Sequence, residues 1–258
     1  MQVTIIGSGN VATHLALALF NKGIVIHQIY SKSLSNAELL AKQVNAEAIN
    51  DLTQLNNNFS VGIVAISDAA IRKALATIPH KDKLWLHTSG TTAVKVFARN
   101  YKNYGVLYPL QTFSKNKSVN FSQIPFFIEA NNIESLEQIK LLVNQLSQNC
   151  IVADSKTRKA LHVAAVFACN FTNHLYAVSS SILKDHNLSF DYLKPLIKET
   201  VDKAMLMEPK QAQTGPAVRK DFLIIREHKK FLNYKKQYKR LYKNLSESII
   251  LDNKKVDA

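Results

Sequence analysis

Cysteine is nearly absent from this chain: Cys150 and Cys169 are the only two in 258 residues. A disulfide framework is therefore unavailable. Without a C-x-x-C or a Cys/His cluster at metal spacing, no zinc site is indicated and no metal is expected. Also missing is any apolar run near the roughly 20 residues needed to cross a bilayer, which predicts no membrane span. No basic-then-apolar leader precedes the first strand-like run, so a cytoplasmic protein is expected. Internal repeats and low-complexity linkers are absent too. Glycine is scarce, at seven residues, and unevenly placed: beyond residue 151 only Gly215 occurs.

Acidic residues are also in short supply, 19 against 33 Lys and Arg, which leaves a formal charge of +14. A basic chain is what a nucleic-acid binder looks like. Here, however, residues 219–258 hold 12 Lys and Arg against 5 Asp and Glu, so half of the excess sits in the last 40 residues. Within them Leu223, Phe231, Tyr234, Tyr238, Leu241, Tyr242 and Leu245 recur at three- and four-residue steps. That pattern is an amphipathic helix whose charges form its wet face, so no nucleic-acid partner is expected.

The informative glycines stand at the start. Met1–Ile6 is a short, partly β-branched apolar run, Gly7-Ser8-Gly9-Asn10-Val11-Ala12 follows, and Thr13–Phe20 continues with helical character. Strand, glycine turn and helix in that order give G-x-G-x-x-G/A its meaning as a dinucleotide site. Gly7 permits the turn, Gly9 lets the pyrophosphate approach the backbone, and Ala12 lets helix and strand pack closely. The helix N-terminus offers free N–H groups to phosphate. Gly7, Ser8, Gly9, Asn10 and Val11 are therefore assigned to cofactor binding.

The second strand, Ile24–Tyr30, is followed by Ser31-Lys32-Ser33, where an NAD-binding protein tends to carry an acid for the ribose. A carboxylate would repel a 2′-phosphate, whereas two hydroxyls and an ammonium can bind it. The cofactor predicted is thus NADP, with Ser31, Lys32 and Ser33 at its phosphate. Further strands end in small polar runs: Val61–Ile66 before Ser67-Asp68, Lys83–His87 before Thr88-Ser89-Gly90, and Gly105–Tyr108 before Pro109-Leu110-Gln111. Buried strands alternating with helices predict an α/β, doubly wound parallel sheet. Ligands bind at the carboxyl ends of such strands, which adds Ile66, Ser67, Asp68 and Ser89 to the cofactor site. A late strand at Pro125–Glu129 and a helix over Ile133–Gln148 complete residues 1–153, the NADP-binding Rossmann domain.

Composition changes near Ile151–Asp154, and helical periodicity then dominates 154–258, read as an all-helical substrate and dimerisation domain. Its first helix, about Ser155–Leu183, carries Lys159, His162, Asn170 and Asn173. At about 100° per residue the other three fall within about 80° of His162. Such a polar stripe would be destabilising if buried unpaired, so it should face a cleft, a partner or water. Lys and amide groups can bind a carboxylate or carbonyl oxygen, and a His can deliver a proton near neutral pH. His162 is the expected general acid, with Lys159, Asn170 and Asn173 orienting the carbonyl. Further on, Thr214-Gly215-Pro216 signals a turn. Arg219 and Thr214 would bind an anionic substrate end, with Ser89 near both nicotinamide and substrate; an Arg219–Asp221 pair bracing the loop is the competing reading.

Taken together, Gly7-x-Gly9-Asn10-Val11-Ala12, His87–Gly90, Tyr108-Pro109-Leu110-Gln111-Thr112-Phe113, His162 with Asn170, and Thr214-Gly215-Pro216-x-x-Arg219-x-Asp221 resemble, over nearly the whole chain, a family of Rossmann-like NADP oxidoreductases with a helical C-terminal domain of unknown function. Its wider relatives are ketopantoate reductase, pyrroline-5-carboxylate reductase and the β-hydroxyacid dehydrogenases, of 6-phosphogluconate-dehydrogenase-like architecture. The resemblance implies an active site between two domains and a homodimer. Tyr108 stands where some relatives have a histidine before proline, so that histidine's role is not carried over. The expected activity is NADPH-dependent reduction of a small, anionic 2-oxo acid or similar carbonyl. The rivals are an imine reductase of the pyrroline-5-carboxylate type and a non-catalytic NADP-binding regulator.

Overall fold

The first strand, β1 (Gln2–Ile6), is buried from Val3 onward because helices cover both faces of the sheet it belongs to. The structure is a computed structural model that describes residues 1–254. After β1 come α1 (Asn10–Asn21), β2 (Val25–Tyr30), α2 (Leu34–Gln43), β3 (Glu47–Ile49), β4 (Val61–Val64), α3 (Asp68–Thr77), β5 (Leu84–His87), β6 (Asn103–Pro109), β7 (Phe126–Ala130), α4 (Ile133–Asn144) and β8 (Cys150–Val152). They form one eight-stranded sheet in the order β3-β2-β1-β4-β5-β6-β7-β8. The reversal between β1 and β4 is the switch point at which an open α/β sheet leaves a crevice.

Val3 and Ile5 of β1 pack with Leu15 and Leu19 of α1 and Leu40 of α2 on one face of the sheet. Ile6, Val64 and Trp85 pack with Ile71 and Leu75 of α3 and with Phe97 on the other. Each face thus has its own core, and the fold class is the expected Rossmann α/β. One part of the sheet differs from an all-parallel expectation. β7 runs antiparallel to β6, from Gly105 opposite Ala130 to Pro109 opposite Phe126, and β8 runs parallel to β7. Only one short turn of helix, Phe121–Gln123, lies between β6 and β7. Without a full crossover helix the chain returns along the neighbouring strand in the opposite sense.

By contacts the described chain divides into two compact units, Met1–Asn170 and the described residues from Phe171 on. Helix α5 (Ser155–Ala165) is capped by Asp154, whose carboxylate accepts from the Thr157 N–H at 2.7 Å. It belongs to the first unit, although the helical pattern of the sequence runs on past its end. The long helix expected over 155–183 is interrupted by a π-helical turn at Val166–Phe171 before α6 (Thr172–Asp185). The second unit continues with α7 (Lys194–Leu206), α8 (Phe222–Phe231) and α9 (Lys236–Lys254), all helical as expected. Its turn at Gly215 uses a φ of +109°, a conformation that favours glycine. No helix among the described residues is long and apolar enough to cross a membrane, and they contain no cluster of metal-binding side chains.

Candidate active site

A cavity of about 1310 Å³ runs along the carboxyl ends of the strands in the first unit. It exceeds the roughly 300–1,000 Å³ of a single small-ligand site, as a dinucleotide plus substrate would require. One part is built from backbone. Gly7 has φ +133°, and a Cβ there would lie 2.2 Å from the Ala65 carbonyl oxygen, so the turn admits only glycine. Gly9 is different: its added Cβ would meet no protein atom within 4 Å. The space beside it is open. As the residue preceding α1, Gly9 supplies no side-chain cap, which leaves the first-turn N–H groups free to bind an anion. An open glycine face and an uncapped helix start are what a pyrophosphate needs, so these residues fit the cofactor that the sequence implies.

Where an adenosine phosphate would lie, the Ser8 hydroxyl donates to the Ser31 oxygen at 2.9 Å. Ser31 and Lys32 line the cavity; Ser33 does not, and instead precedes α2 with its hydroxyl 2.8 Å from that of Ser35. Lys73, Thr77, Asn50 and Asp51 also line this region and were not anticipated. Asp51 accepts from the Thr53 N–H at 2.9 Å, which lowers its pKa. Lys73 is a second cation lining the same cavity as Lys32. Asn10 lines the cavity beside Gly9, and its amide donates to the Phe113 carbonyl at 2.8 Å. With the His14 ring 2.9 Å from the Ser114 carbonyl oxygen, it ties the loop after β6 to α1.

The other part is built from side chains after β5 and β6 and from α5. Ser89 is almost fully buried, and its oxygen accepts from the N–H groups of Thr91 (3.1 Å) and Thr92 (2.9 Å). With its lone pairs so engaged, the hydroxyl's remaining capacity is to donate. Thr91 in turn donates to Asp68. Beneath the loop, His87 stacks on Phe97 with centroids 5.7 Å apart. Burial, and secondly the Arg158 guanidinium, hold His87 down to about 3. It is neutral, its Nδ1 accepts from the Ser89 N–H at 3.2 Å, and its Nε2 has no partner among the described residues.

Helix α5 is joined to this loop by Arg158, which is completely buried. Its guanidinium donates to Glu129 at 2.5 Å and to the Thr92 carbonyl at 2.6 Å. Ser155 adds a bond to Glu129 at 2.7 Å and accepts from the Val94 N–H at 3.0 Å. One turn after Arg158, His162 reaches the cavity, with Nδ1 2.9 Å from the Tyr108 hydroxyl. Gly90 lies under the ring: a Cβ there would approach Nδ1 to 2.6 Å. Tyr108 is only 8% exposed. Burial pushes its phenol up, while Arg158 pulls it the other way.

The cavity thus brings His162 and Ser89 together with the glycine turn, and Ile66, Ser67 and Asp68 line it as expected. Lys159 and Asn170 are exposed and do not line it. The face drawn through Lys159, His162, Asn170 and Asn173 assumes uniform α-helical rotation, and the π turn at 166–171 breaks that assumption. Asn173, Thr214 and Arg219 belong to the second unit, where each is exposed. Tyr108, Gln111 and Arg158 escaped the sequence reading. A signal existed for one of them: Tyr108 ends a strand beside Pro109, where ligands bind.

Comparison with known proteins accords with this geometry. A family described as "NADP oxidoreductase coenzyme F420-dependent" matches residues 2–89, and one described as "Domain of unknown function (DUF2520)" matches residues 124–249. No curated protein matches. Among solved structures, a Bacteroides fragilis protein described as a putative NADP oxidoreductase is 44% identical, over 96% of this chain and 97% of its own, with a TM-score of 0.92. A Thermotoga maritima protein is 22% identical over 99% and 100%, at a TM-score of 0.72. An imine reductase from Myxococcus stipitatus, in complex with NADP+, shares the fold at a TM-score of 0.66, with 13% identity over 99% and 93%. The chain belongs to the NADP oxidoreductase family that joins a Rossmann unit to a DUF2520 region, and is an NADP-dependent oxidoreductase.

Proposed function

We propose that this enzyme uses NADPH to reduce a small 2-oxo acid or related carbonyl, with His162 as general acid. The observation that carries the reading is that His162, Tyr108 and Ser89 line the same cavity as the glycine turn. When bound, NADPH supplies a hydride. The chain's own groups then have to hold the accepting carbonyl and neutralise its oxygen. Ser89 is poised as a donor, and the His162 ring can pass a proton to that oxygen. Ser89 and His162 can both donate to a carbonyl oxygen, which supports a carbonyl substrate, and the Asp68 carboxylate of the same cavity already accepts from the Thr91 hydroxyl. The same reading takes residues 154–258 as the substrate domain, with Lys159, Asn170 and Asn173 orienting the carbonyl and Thr214 and Arg219 binding the substrate's anionic end.

Imine reduction remains the second reading, favoured by the imine reductases that share the fold. A homodimer belongs to the same proposal. Helices α6 and α7 contain no buried residue, and Met205, Leu206 and Tyr192 are 79%, 83% and 72% exposed. Apolar surface of that extent supports a second copy as its cover. Two unpaired cysteines suit a reducing cytoplasm.

The test is NADPH consumption across a panel of 2-oxo acids and cyclic imines. Turnover of a 2-oxo acid that falls at least 100-fold in His162→Ala, with folding intact, is expected. Turnover confined to imines would replace the substrate assignment, and undiminished turnover in His162→Ala would remove the general acid.

A further inference from the structure

The His162 imidazole has two edges that the structure treats differently. Nδ1 faces the Tyr108 hydroxyl at 2.9 Å, on the side seated against Gly90. Nε2 makes no hydrogen bond to any described residue, while the ring as a whole lines the cavity. The Tyr108 hydroxyl, in turn, meets no other hydrogen-bond partner among the described residues. Of the two ways to place the shared proton, one leaves the phenolic hydrogen of this nearly buried side chain without a protein acceptor. A phenol is also the better donor of the pair, and an unprotonated imidazole nitrogen the better acceptor.

We propose that Tyr108 is a positioning residue that donates to Nδ1 and so fixes neutral His162 as the Nε2–H tautomer, aiming that N–H at the substrate oxygen. This rests on the reading of His162 as the group that faces the reacting carbonyl. The arrangement also defines a proton path. As the carbonyl becomes an alkoxide, its oxygen takes the Nε2 proton and the N–H electron pair stays on the ring. Nδ1 then takes the phenolic proton, and the O–H pair stays on Tyr108 as a phenolate. The ring ends neutral with its proton on Nδ1; water then supplies a proton to Nε2 and Nδ1 returns its own to the phenolate, which restores the Nε2–H tautomer. Burial makes the Tyr108 phenol a weaker acid than usual, yet a phenol remains a stronger acid than an alcohol, so the transfer runs downhill. Burial and the Asp68 charge oppose the phenolate, and the Arg158 guanidinium favours it.

Gly90 shares the positioning. A methyl group at that residue would push on Nδ1 and on the Cγ and Cβ of His162, at 2.6, 2.7 and 2.9 Å. The ring could not then keep its distance from Tyr108.

The experiment is nitrogen NMR of the full chain labelled at histidine, at about pH 8.5, where an ordinary histidine is neutral. His162→Gln identifies the signals. The expected result is an unprotonated, hydrogen-bonded Nδ1 and a protonated Nε2 in the wild type, with the Nδ1 signal moving to the position of a free nitrogen in Tyr108→Phe. Gly90→Ala should move the same signal while leaving Tyr108 in place. A proton on Nδ1 in the wild type would overturn the proposal, whatever the variants do. So would a Tyr108→Phe spectrum with the Nδ1 signal unmoved. Failure of the enzyme to bind NADPH would instead remove the reductase reading and leave the tautomer result standing.

Discussion

The two units of the molecule use their apolar residues in opposite ways. In residues 1–170 nearly every strand residue of β1, β4 and β5 is buried, and two cores occupy the two faces of one sheet. In residues 171–254 only Ala217, Ile225 and Leu232 are buried among the apolar side chains, while Met205, Leu206, Phe222 and Leu223 stand in the open. The first unit therefore carries its own stability, and its side chains can be spent on a precisely shaped cavity. The second has helices and turns but little interior.

The sharpest way to break this contrast is to disturb the first unit where its backbone has no slack. Gly7→Val would combine a positive φ with a Cβ overlapping the Ala65 carbonyl. It should cost more than about 4 kcal/mol, visible as loss of cooperative unfolding in urea. The corresponding attack on the second unit is Met205→Lys with Leu206→Lys. In an isolated chain these exposed positions should tolerate charge within about 0.5 kcal/mol. If a second copy covers them, sedimentation will show the wild-type dimer dissociating to monomers, and the melting temperature will become less dependent on protein concentration. A wild-type chain that sediments as a monomer would remove the dimer and leave the exposed face unexplained by self-association.

A smaller effect should come from the loop under the active site. His87 is held at about 3 in the folded chain against an ordinary value of about 6.5. Between those values the unfolded chain binds a proton that the folded chain does not. The contribution of neutral His87 is thus complete above pH 6.5 and is lost as pH falls toward 3, by up to about 1.4 kcal/mol per unit. Urea unfolding of His87→Gln against the wild type, at pH 7 and pH 5, should show a shallower acid loss in the variant. Equal slopes would mean that His87 is solvated or paired in a way the geometry does not show.

How much could be read from the sequence follows the same division. The glycine turn was legible because a backbone demand leaves few residue choices: φ +133° at residue 7 and an open face at residue 9 are written as Gly and Gly. The polar strand ends at Ser67-Asp68 and Ser89 were legible because position in a doubly wound sheet fixes what they can face. The sense of β7 was not, since it depends on the length and form of the 110–125 connection and not on the strand's own residues. Nor was the π turn at 166–171, as Val-Phe-Ala-Cys-Asn-Phe is as compatible with an ordinary helix. That one local change separates His162 from the asparagines with which helical spacing had grouped it. Arg158 was hidden for another reason. A lone arginine in a basic helix reads as a solvated charge until Glu129 and the Thr92 carbonyl, far away in sequence, are brought to it.

The central claim, that the crevice at Gly7–Val11 takes a phosphorylated nicotinamide coenzyme, is tested most directly by parallel calorimetric titration of NADPH and NADH into wild type and Gly9→Ala. The added methyl meets no protein atom within 4 Å and φ at residue 9 is an ordinary −76°, so the variant should fold and melt as the wild type does. The expected result is NADPH bound at least 10-fold more tightly than NADH by the wild type, and NADPH binding weakened at least 100-fold in Gly9→Ala. Unchanged NADPH binding in that variant, or none in the wild type, would contradict the account.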